Sequence, residues 1–397
     1  MLQAKLKNGH VLTLAKLTVS EIQEFKEKKE AFFCPTCMKP VMIKAGPKMI
    51  PHFAHYSSEN CPSQEGGEGT YHEQGKLLLF NWLKSQNLNV ELEAYISSIQ
   101  QRPDILLTIN NKKIAIEYQC ARLKVDQVQK RNKGYLKAGI VPIWILGANR
   151  FQRQTGNHIK LDSFTQQFIH RFTPELPTIL YYFCPHTHQL ISVQDLFFTR
   201  GNQALGKFYI KHINQSQFTD LFKMKRFSKH ELMKRWKKEK ERFRTWPRRK
   251  IYGSELAWHQ WLYLNKMHIE LLPSIVYLPI PSQYLMRTPL WNWQSRICMD
   301  FLSPLPVGAE FSILSVNFLL RNQLQSSSTF PLIQSSHHPI KQYFQLLTYL
   351  EIIQPTTEFT YKKLQSIQLH SNIHDALKQD EMVLNKIIHK RTNKIQA

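Results

Sequence analysis

Two short acidic motifs lie close together in the chain: Arg102-Pro103-Asp104 and Glu117-Tyr118-Gln119. Two carboxylates held near each other repel unless a cation lies between them. Hard divalent ions such as Mg²⁺ or Mn²⁺ take oxygen ligands of this kind, usually with substrate phosphate. The motifs therefore indicate metal-assisted phosphodiester cleavage, with Asp104 and Glu117 as metal ligands. The alternative is an ordinary hairpin with an acidic, solvent-exposed face.

A β-hairpin would bring the two motifs together. The residue types predict strands over 105–109 and 114–119. Two asparagines open the four-residue linker, and asparagine tolerates the left-handed conformation that tight turns need. If the asparagines alone form the turn, Asp104 lies opposite Glu117; if all four residues form the loop, Asp104 lies opposite Gln119. In either register the period of two along a strand places these three side chains on one face.

The flanking segments predict an α/β core. Residues 123–138 have a helical pattern, and 141–146 read as a buried strand. A helix is also expected over 71–86. Its residues His72 and Lys76 share a face, which either contacts DNA phosphate or faces solvent.

The order of these elements resembles the PD-(D/E)xK nuclease superfamily. The resemblance assigns metal-ligand roles to Asp104 and Glu117, and it places Gln119 where the superfamily usually has lysine. Glutamine can orient water but carries no charge to stabilise developing negative charge. Both a metal-dependent nuclease and a degenerate, non-catalytic fold are therefore open.

Two helices are expected to complete the nuclease-like site. Arg131 and Tyr135, one helical turn apart, match the helix that often completes such sites in the RecB-like branch. In similar nucleases an acidic residue of the first helix enters the site, and Glu73 has that position. Thr70 and Glu73 also have the spacing of a capping box, so capping is the alternative role of Glu73.

Cysteines and histidines near the start of the chain predict a zinc-ribbon-like β module. A C-x-x-C knuckle is followed by a hairpin pattern, an H-F-x-H motif and one later cysteine. Zinc needs four ligands in a tetrahedron, which such a set supplies. The alternative is a small hairpin with unmetallated cysteines. The predicted ligands are Cys34, Cys37, His55 and Cys61, with His52 as the alternative histidine.

The composition points to a nucleic-acid partner. Of 397 residues, 53 are Lys or Arg and 29 are Asp or Glu, giving a net charge of +24. The run 223–250 is the most basic, and four aromatic residues interleave with it. These either stack on unpaired bases or pack on the domain. The four are Phe227, Trp236, Phe243 and Trp246.

The compartment follows from what the sequence lacks. No apolar run is long enough to predict a membrane span, and six cysteines do not suggest a secreted disulfide framework. We therefore expect a cytoplasmic protein. The expected domains are a β module at 1–65, a nuclease-like α/β domain at 66–150, and a mostly helical, basic domain at 151–397.

Together, the cysteine–histidine and acidic motifs resemble those of the CoiA competence protein family. The resemblance implies a protein that processes or handles incoming single-stranded DNA for recombination in natural transformation. Its implied partners are DNA and either a strand-exchange recombinase or other DNA-uptake proteins. The main alternative is a non-catalytic recombination mediator with a degenerate nuclease fold, and a defence-type restriction nuclease is the third.

Overall fold

The computed structural model describes residues 1–14, 17–46, 49–56, 61, 69–245, 251–334 and 338–389. Within them the chain forms a small N-terminal sheet, a large mixed sheet flanked by helices, and a helical C-terminal region with a three-stranded sheet. This arrangement confirms the predicted fold class. In the described residues no helix is both long and apolar enough to cross a membrane. Trp246 and residues 247–250 of the basic run lie outside the described residues.

The N-terminal module is a five-stranded sheet with the order β2-β1-β3-β4-β5. Its apolar residues pack into a core of their own around Phe32, Val41 and Phe53. Helix α1 begins at a complete capping box, in which Thr18 and Glu21 bond to each other's backbone amides. The elements are β1 (Gln3–Leu6), β2 (Val11–Thr13), α1 (Val19–Glu27), β3 (Phe32–Phe33), β4 (Pro40–Gly46) and β5 (Met49–His55).

The large sheet has nine strands in the order β10-β11-β14-β13-β12-β9-β8-β7-β6. Strand β9 runs parallel to β8 and to β12, and the other neighbours are antiparallel. The sheet continues past residue 150 through β10–β14. The elements are α2 (Thr70–Lys84), β6 (Asn89–Leu92), β7 (Ile105–Ile109), β8 (Lys112–Gln119), α3 (Val125–Lys137), β9 (Ile140–Gly147), β10 (Gln152–Arg153), β11 (His158–Lys160), α4 (Ser163–Gln166), β12 (Ile179–Cys184), β13 (Gln189–Arg200) and β14 (Gln203–His212).

The β7–β8 hairpin settles the register that the sequence left open. Ile105 pairs with Ile116, so the turn contains only Asn110 and Asn111. Both asparagines have positive φ angles, 46° and 62°, as a two-residue type I′ turn requires. The two-residue turn is therefore confirmed. The four-residue loop is wrong because the two lysines after the asparagines already pair within the ladder.

Helices cover both faces of the sheet near this hairpin. Helix α2 packs on the face that carries Ile105, Ile116 and Tyr118. Helix α3 packs on the opposite face, where buried Tyr135 lies against Ala115. The order α2, β7, β8, α3, β9 is the order predicted from the sequence. The period of two along β8 therefore sends Glu117 toward α3 and Tyr118 toward α2.

The C-terminal region is mostly helical and has a large core of its own. Phe227, Trp236 and Phe243 are all buried in that core, so packing rather than base stacking is their role. The elements are α5 (Lys229–Thr245), α6 (Gly253–Leu264), α7 (Leu290–Arg296), β15 (Glu310–Ser312), α8 (Ile313–Leu319), α9 (Pro339–Tyr349), β16 (Ile353–Pro355), β17 (Thr360–Lys363) and α10 (Ile373–His389).

Candidate functional site

The cysteine–histidine cluster of the N-terminal module has the geometry of a metal centre. The ligand atoms of Cys34, Cys37, His55 and Cys61 all lie within 4.8 Å of one another. The knuckle lies in the turn between β3 and β4, and the β4–β5 hairpin brings its last residue, His55, back beside it. His52 is not in the group; its Nδ1 lies 3.0 Å from the carbonyl oxygen of Ile50.

The protonation behaviour of these side chains suits a metal ligand set. Burial raises the pKa of the Cys37 thiol to about 11, so a bound cation would be what stabilises the thiolate. Burial lowers the pKa of His55, and nearby positive charges lower it further. The imidazole is therefore neutral at pH 7, as a metal-binding histidine must be.

Glu117, the second acidic residue of the nuclease-like motifs, is held by helix α3. Its Oε1 accepts hydrogen bonds from the Arg131 guanidinium and from the Tyr135 hydroxyl. Arg131 also donates to Tyr135 at 3.1 Å. Burial, together with the adjacent carboxylate, raises the pKa of Tyr135 well above its usual value, so the hydroxyl stays a donor. The structure thus brings together three of the residues that the sequence nominated for one site.

Asp104, the first acidic residue, is held from the α2 side. Its Oδ2 accepts the backbone N–H of Tyr118 at 2.8 Å and lies 3.3 Å from His72 Nε2. Its Oδ1 lies 3.7 Å from Lys76 Nζ. The two motif carboxylates therefore flank the end of β8, one beside each helix. The prediction that they share a face is wrong, because Asp104 precedes the first residue of β7 and the period of two does not apply to it.

A buried ionic network that the sequence did not predict surrounds Asp104. Lys76 is fully buried, and its ammonium donates to Glu93 at 2.6 Å and lies 3.1 Å from Glu73. Glu93 Oε2 also accepts the backbone N–H groups of Leu2 and Gln3 at 3.0 and 3.3 Å. Both earlier roles of Lys76, phosphate contact and solvated face, are wrong. The network links the first strand of the N-terminal module to the nuclease-like domain.

A signal for the burial of Lys76 was present in the sequence. Lys76, Leu79, Phe80 and Leu83 follow the spacing i, i+3, i+4, i+7, which places the lysine on the apolar face of α2. Glu93 gave no comparable signal. It lies just after β6 with a φ of 50°, and its contacts with Lys76, Leu2 and Gln3 form only in the folded chain.

The remaining nominated residues have the following positions. Glu73 is buried in α2 beside Lys76, and helix α2 is capped at Gly69 without any side-chain hydrogen bond, so the capping box is wrong. The Gln119 amide donates to the carbonyl oxygen of Ala121 at 2.8 Å. Gln119 follows Tyr118 along β8 and so shares the face of Glu117.

The donor set at the end of β8 has the chemistry for a divalent ion, but basic side chains of the chain already neutralise it. Asp104 faces His72 and Lys76, and Glu117 faces Arg131. Within the described ranges, the cysteine–histidine cluster is the only group of three or more His, Cys, Asp or Glu side chains placed to hold a metal ion. An incoming ion would have to displace one of these basic groups.

Fold and site together define a nuclease-like α/β protein with an N-terminal cysteine–histidine module and a helical C-terminal region. Family models match the chain in three segments: the competence protein CoiA N-terminal domain over 14–64, its nuclease-like domain over 68–226, and its C-terminal domain over 232–377. The nuclease-like match includes all nine strands of the large sheet.

A curated relative agrees with these models. The chain is 32% identical over 277 residues to competence protein CoiA of Bacillus subtilis (strain 168), an alignment covering 68% of this chain and 72% of the relative. The chain therefore belongs to the CoiA competence protein family. No solved structure matches it.

Proposed function

We propose that this protein binds incoming single-stranded DNA and handles it for recombination during natural transformation, with the nuclease-like domain as a binding platform. The observation that carries the proposal is the pairing of both motif carboxylates with basic side chains. Neutralised carboxylates no longer repel phosphate, so the nuclease-like edge can lie against a DNA backbone without a metal ion.

The charge of the chain supports the same partner. A net charge of +24 produces a field that attracts polyanions and makes their binding dependent on salt. Membership of a competence protein family supports a role of this binding in DNA uptake. The implied protein partner, a strand-exchange recombinase or another DNA-uptake protein, remains part of the proposal.

The test is fluorescence anisotropy with a labelled single strand and a duplex of equal length, titrated across a range of salt concentrations. We expect tight, sequence-independent binding of the single strand, weakening linearly in log affinity with log salt. The same samples, incubated with Mg²⁺ or Mn²⁺, should show intact DNA on a denaturing gel. Failure to bind either DNA in low salt would contradict the proposal.

A second candidate function is metal-dependent phosphodiester cleavage. It is favoured by the convergence of Asp104, Glu117, Arg131 and Tyr135 on the end of β8. A bound divalent ion would supply a neutralising charge for the scissile phosphate and a hydroxide nucleophile. In that case Glu117→Ala abolishes cleavage, and Gln119→Lys preserves or raises it by adding a positive charge.

We further propose that the cysteine–histidine cluster binds a structural zinc ion. Three sulfur ligands and one imidazole are a common structural zinc set, and leave no position open for substrate. Metal analysis of protein prepared without chelators should find close to one zinc per chain, and its absence would remove this proposal.

A further inference from the structure

A cavity of about 520 Å³ lies where helix α5 meets the loop between β10 and β11. Loop residues 155–157 and His158 at the start of β11 form one wall, and α5 forms the other. The cavity thus lies between the nuclease-like sheet and the C-terminal region. Neither the cysteine–histidine cluster nor the carboxylates at the end of β8 line it.

Side-chain and backbone contacts hold the two walls together. His158 Nε2 lies 3.0 Å from a carboxylate oxygen of Glu239 on α5. Asn157 and Gly206 exchange two hydrogen bonds, of 2.9 and 3.0 Å, which fix the loop to β14. These contacts hold Asn157 and His158 in place, so this wall of the cavity is a preformed feature of the fold.

Basic side chains dominate the lining. Four Lys or Arg side chains line the cavity against two glutamates, Glu231 and Glu239. Each glutamate already has basic neighbours: Lys207 lies 2.9 Å from Glu231, and Arg242 lies 3.0 Å from Glu239. The field inside the cavity is therefore positive.

Two lysines are the best-placed ligands for an anion. Lys234 and Lys238 are exposed, one turn apart on α5, and both line the cavity. In the part of the chain that the structure describes, neither makes an ion pair. By contrast, Lys237 on the same helix lies 2.6 Å from Glu381 of α10.

We propose that this cavity binds backbone phosphates of a single DNA strand through Lys234 and Lys238. The proposal rests on the function proposed above and adds a phosphate-binding surface to the nuclease-like edge. Phe227, Trp236 and Phe243, the described aromatic residues of the basic run 223–250, pack in the C-terminal core. The contact is therefore to phosphate rather than to bases. Binding at the cavity is therefore independent of base sequence.

The experiment compares two double variants that each remove two positive charges from α5. Lys234→Gln/Lys238→Gln changes the cavity, and Lys229→Gln/Lys237→Gln changes the same helix outside the cavity lining. Losing two phosphate contacts should weaken single-strand binding about twenty-fold at ~0.1 M salt and lower the log–log salt slope by about 1.4. The control pair should bind with nearly the affinity and slope of the unchanged protein.

The outcomes separate the possible failures. Equal weakening by both variants overturns the cavity but leaves the proposed function standing. If the unchanged protein binds no DNA, the proposed function itself fails. Calorimetric titration with inorganic phosphate should give no site that depends on Lys234 and Lys238. A phosphate site of that kind beside unaltered DNA binding would identify a small-anion pocket and overturn the proposal.

A competition arm excludes the other polyanion. Poly-glutamate of the same total charge should displace the labelled strand poorly, because carboxylates release fewer condensed counterions than a phosphate backbone. Equal displacement with the same dependence on Lys234 and Lys238 would show that the cavity takes an acidic protein segment instead. Matching thermal unfolding curves for the two double variants show that both are folded.

Discussion

The N-terminal cysteine–histidine cluster and the end of β8 both bring metal-ligand side chains together, but the groups that surround these side chains differ. Around Cys34, Cys37, His55 and Cys61, four ligand atoms face one another within 4.8 Å. Around Asp104 and Glu117, each carboxylate faces a basic side chain instead. Ligand types at suitable spacing thus occur both in a cluster that could hold a metal ion and in a region where each motif carboxylate already faces a basic side chain.

The difference teaches where the charge balance of a site comes from. Neutral thiols and a neutral imidazole carry no charge of their own, and a metal ion bound there would be balanced by thiolates that form as it binds. Buried carboxylates can instead be balanced from within, and Lys76 and Arg131 do so here. The prediction that the carboxylates need a metal ion considered only an external cation and not the basic side chains of the chain itself.

The largest expected effect is at the cysteine–histidine cluster. Cys37→Ser should release the metal ion and unfold the module, because structural zinc supplies on the order of 10 kcal/mol of folding free energy. Limited proteolysis should then cleave within the first 60 or so residues while the rest of the chain resists. His52→Ala is the matched control, since His52 lies outside the cluster. A fully stable Cys37→Ser protein would contradict the metal centre.

The next effect is at the buried network. Lys76→Met should destabilise the protein by about 3–5 kcal/mol, because buried Glu73 and Glu93 and partly buried Asp104 lose a shared cation. Urea denaturation measures the loss. Mg²⁺ should restore part of the lost stability, because the variant leaves these carboxylates without the lysine that balances their charge. This internal balance of charge distinguishes the region from the cysteine cluster. No response of the variant to Mg²⁺ would show that the carboxylates cannot converge on an ion.

Acid should affect the nuclease-like domain through a histidine outside the site. His170 is fully buried, and its Nε2 accepts the backbone N–H of Trp144 at 3.0 Å. Burial lowers the pKa of His170 to about 3. In the unfolded chain His170 binds a proton below about pH 6.5, whereas in the folded chain it stays neutral. The free energy of unfolding therefore carries no penalty from His170 above pH 6.5. It falls by about 1.4 kcal/mol per pH unit between pH 6.5 and 3.

Urea denaturation at several pH values measures this slope. His170→Gln should flatten it while leaving the sensitivity of the N-terminal module to chelators unchanged. An unchanged slope in the variant would assign the acid sensitivity to other groups. The two perturbations, acid and chelator, would then no longer distinguish the two regions.

The sequence predicted the elements and the local geometry better than the charge balance. The hairpin register follows from two asparagines, and the resemblance to the nuclease superfamily implied the grouping of Glu117, Arg131 and Tyr135. The role of Glu93 could not be predicted, because its partners Lys76 and the amide of Leu2 come from distant parts of the chain. Pairings of that kind depend on tertiary contacts that no local pattern contains.

The smallest effect tests the comparison most directly. We expect Mg²⁺ to leave the melting temperature of the unchanged protein nearly constant, because Arg131 already neutralises Glu117. Arg131→Gln removes that cation while Tyr135 still supports the carboxylate. Mg²⁺ at ten times its Kd should then stabilise the variant by about 1.4 kcal/mol. Differential scanning fluorimetry measures both, with Arg122→Gln as the control, since Arg122 pairs with Asp162 away from the site.

Stabilisation of the unchanged protein by Mg²⁺, lost in Glu117→Ala, would reverse this conclusion. The end of β8 would then be a metal site in the same sense as the cysteine cluster, with Arg131 moving aside for the ion. Cleavage of DNA in the same buffer would turn the second candidate function into the first. Arg131 contacts Glu117 from α3, and Lys76 contacts Asp104 from α2. Comparing Mg²⁺ stabilisation of single variants at these two positions would show which basic side chain the ion displaces.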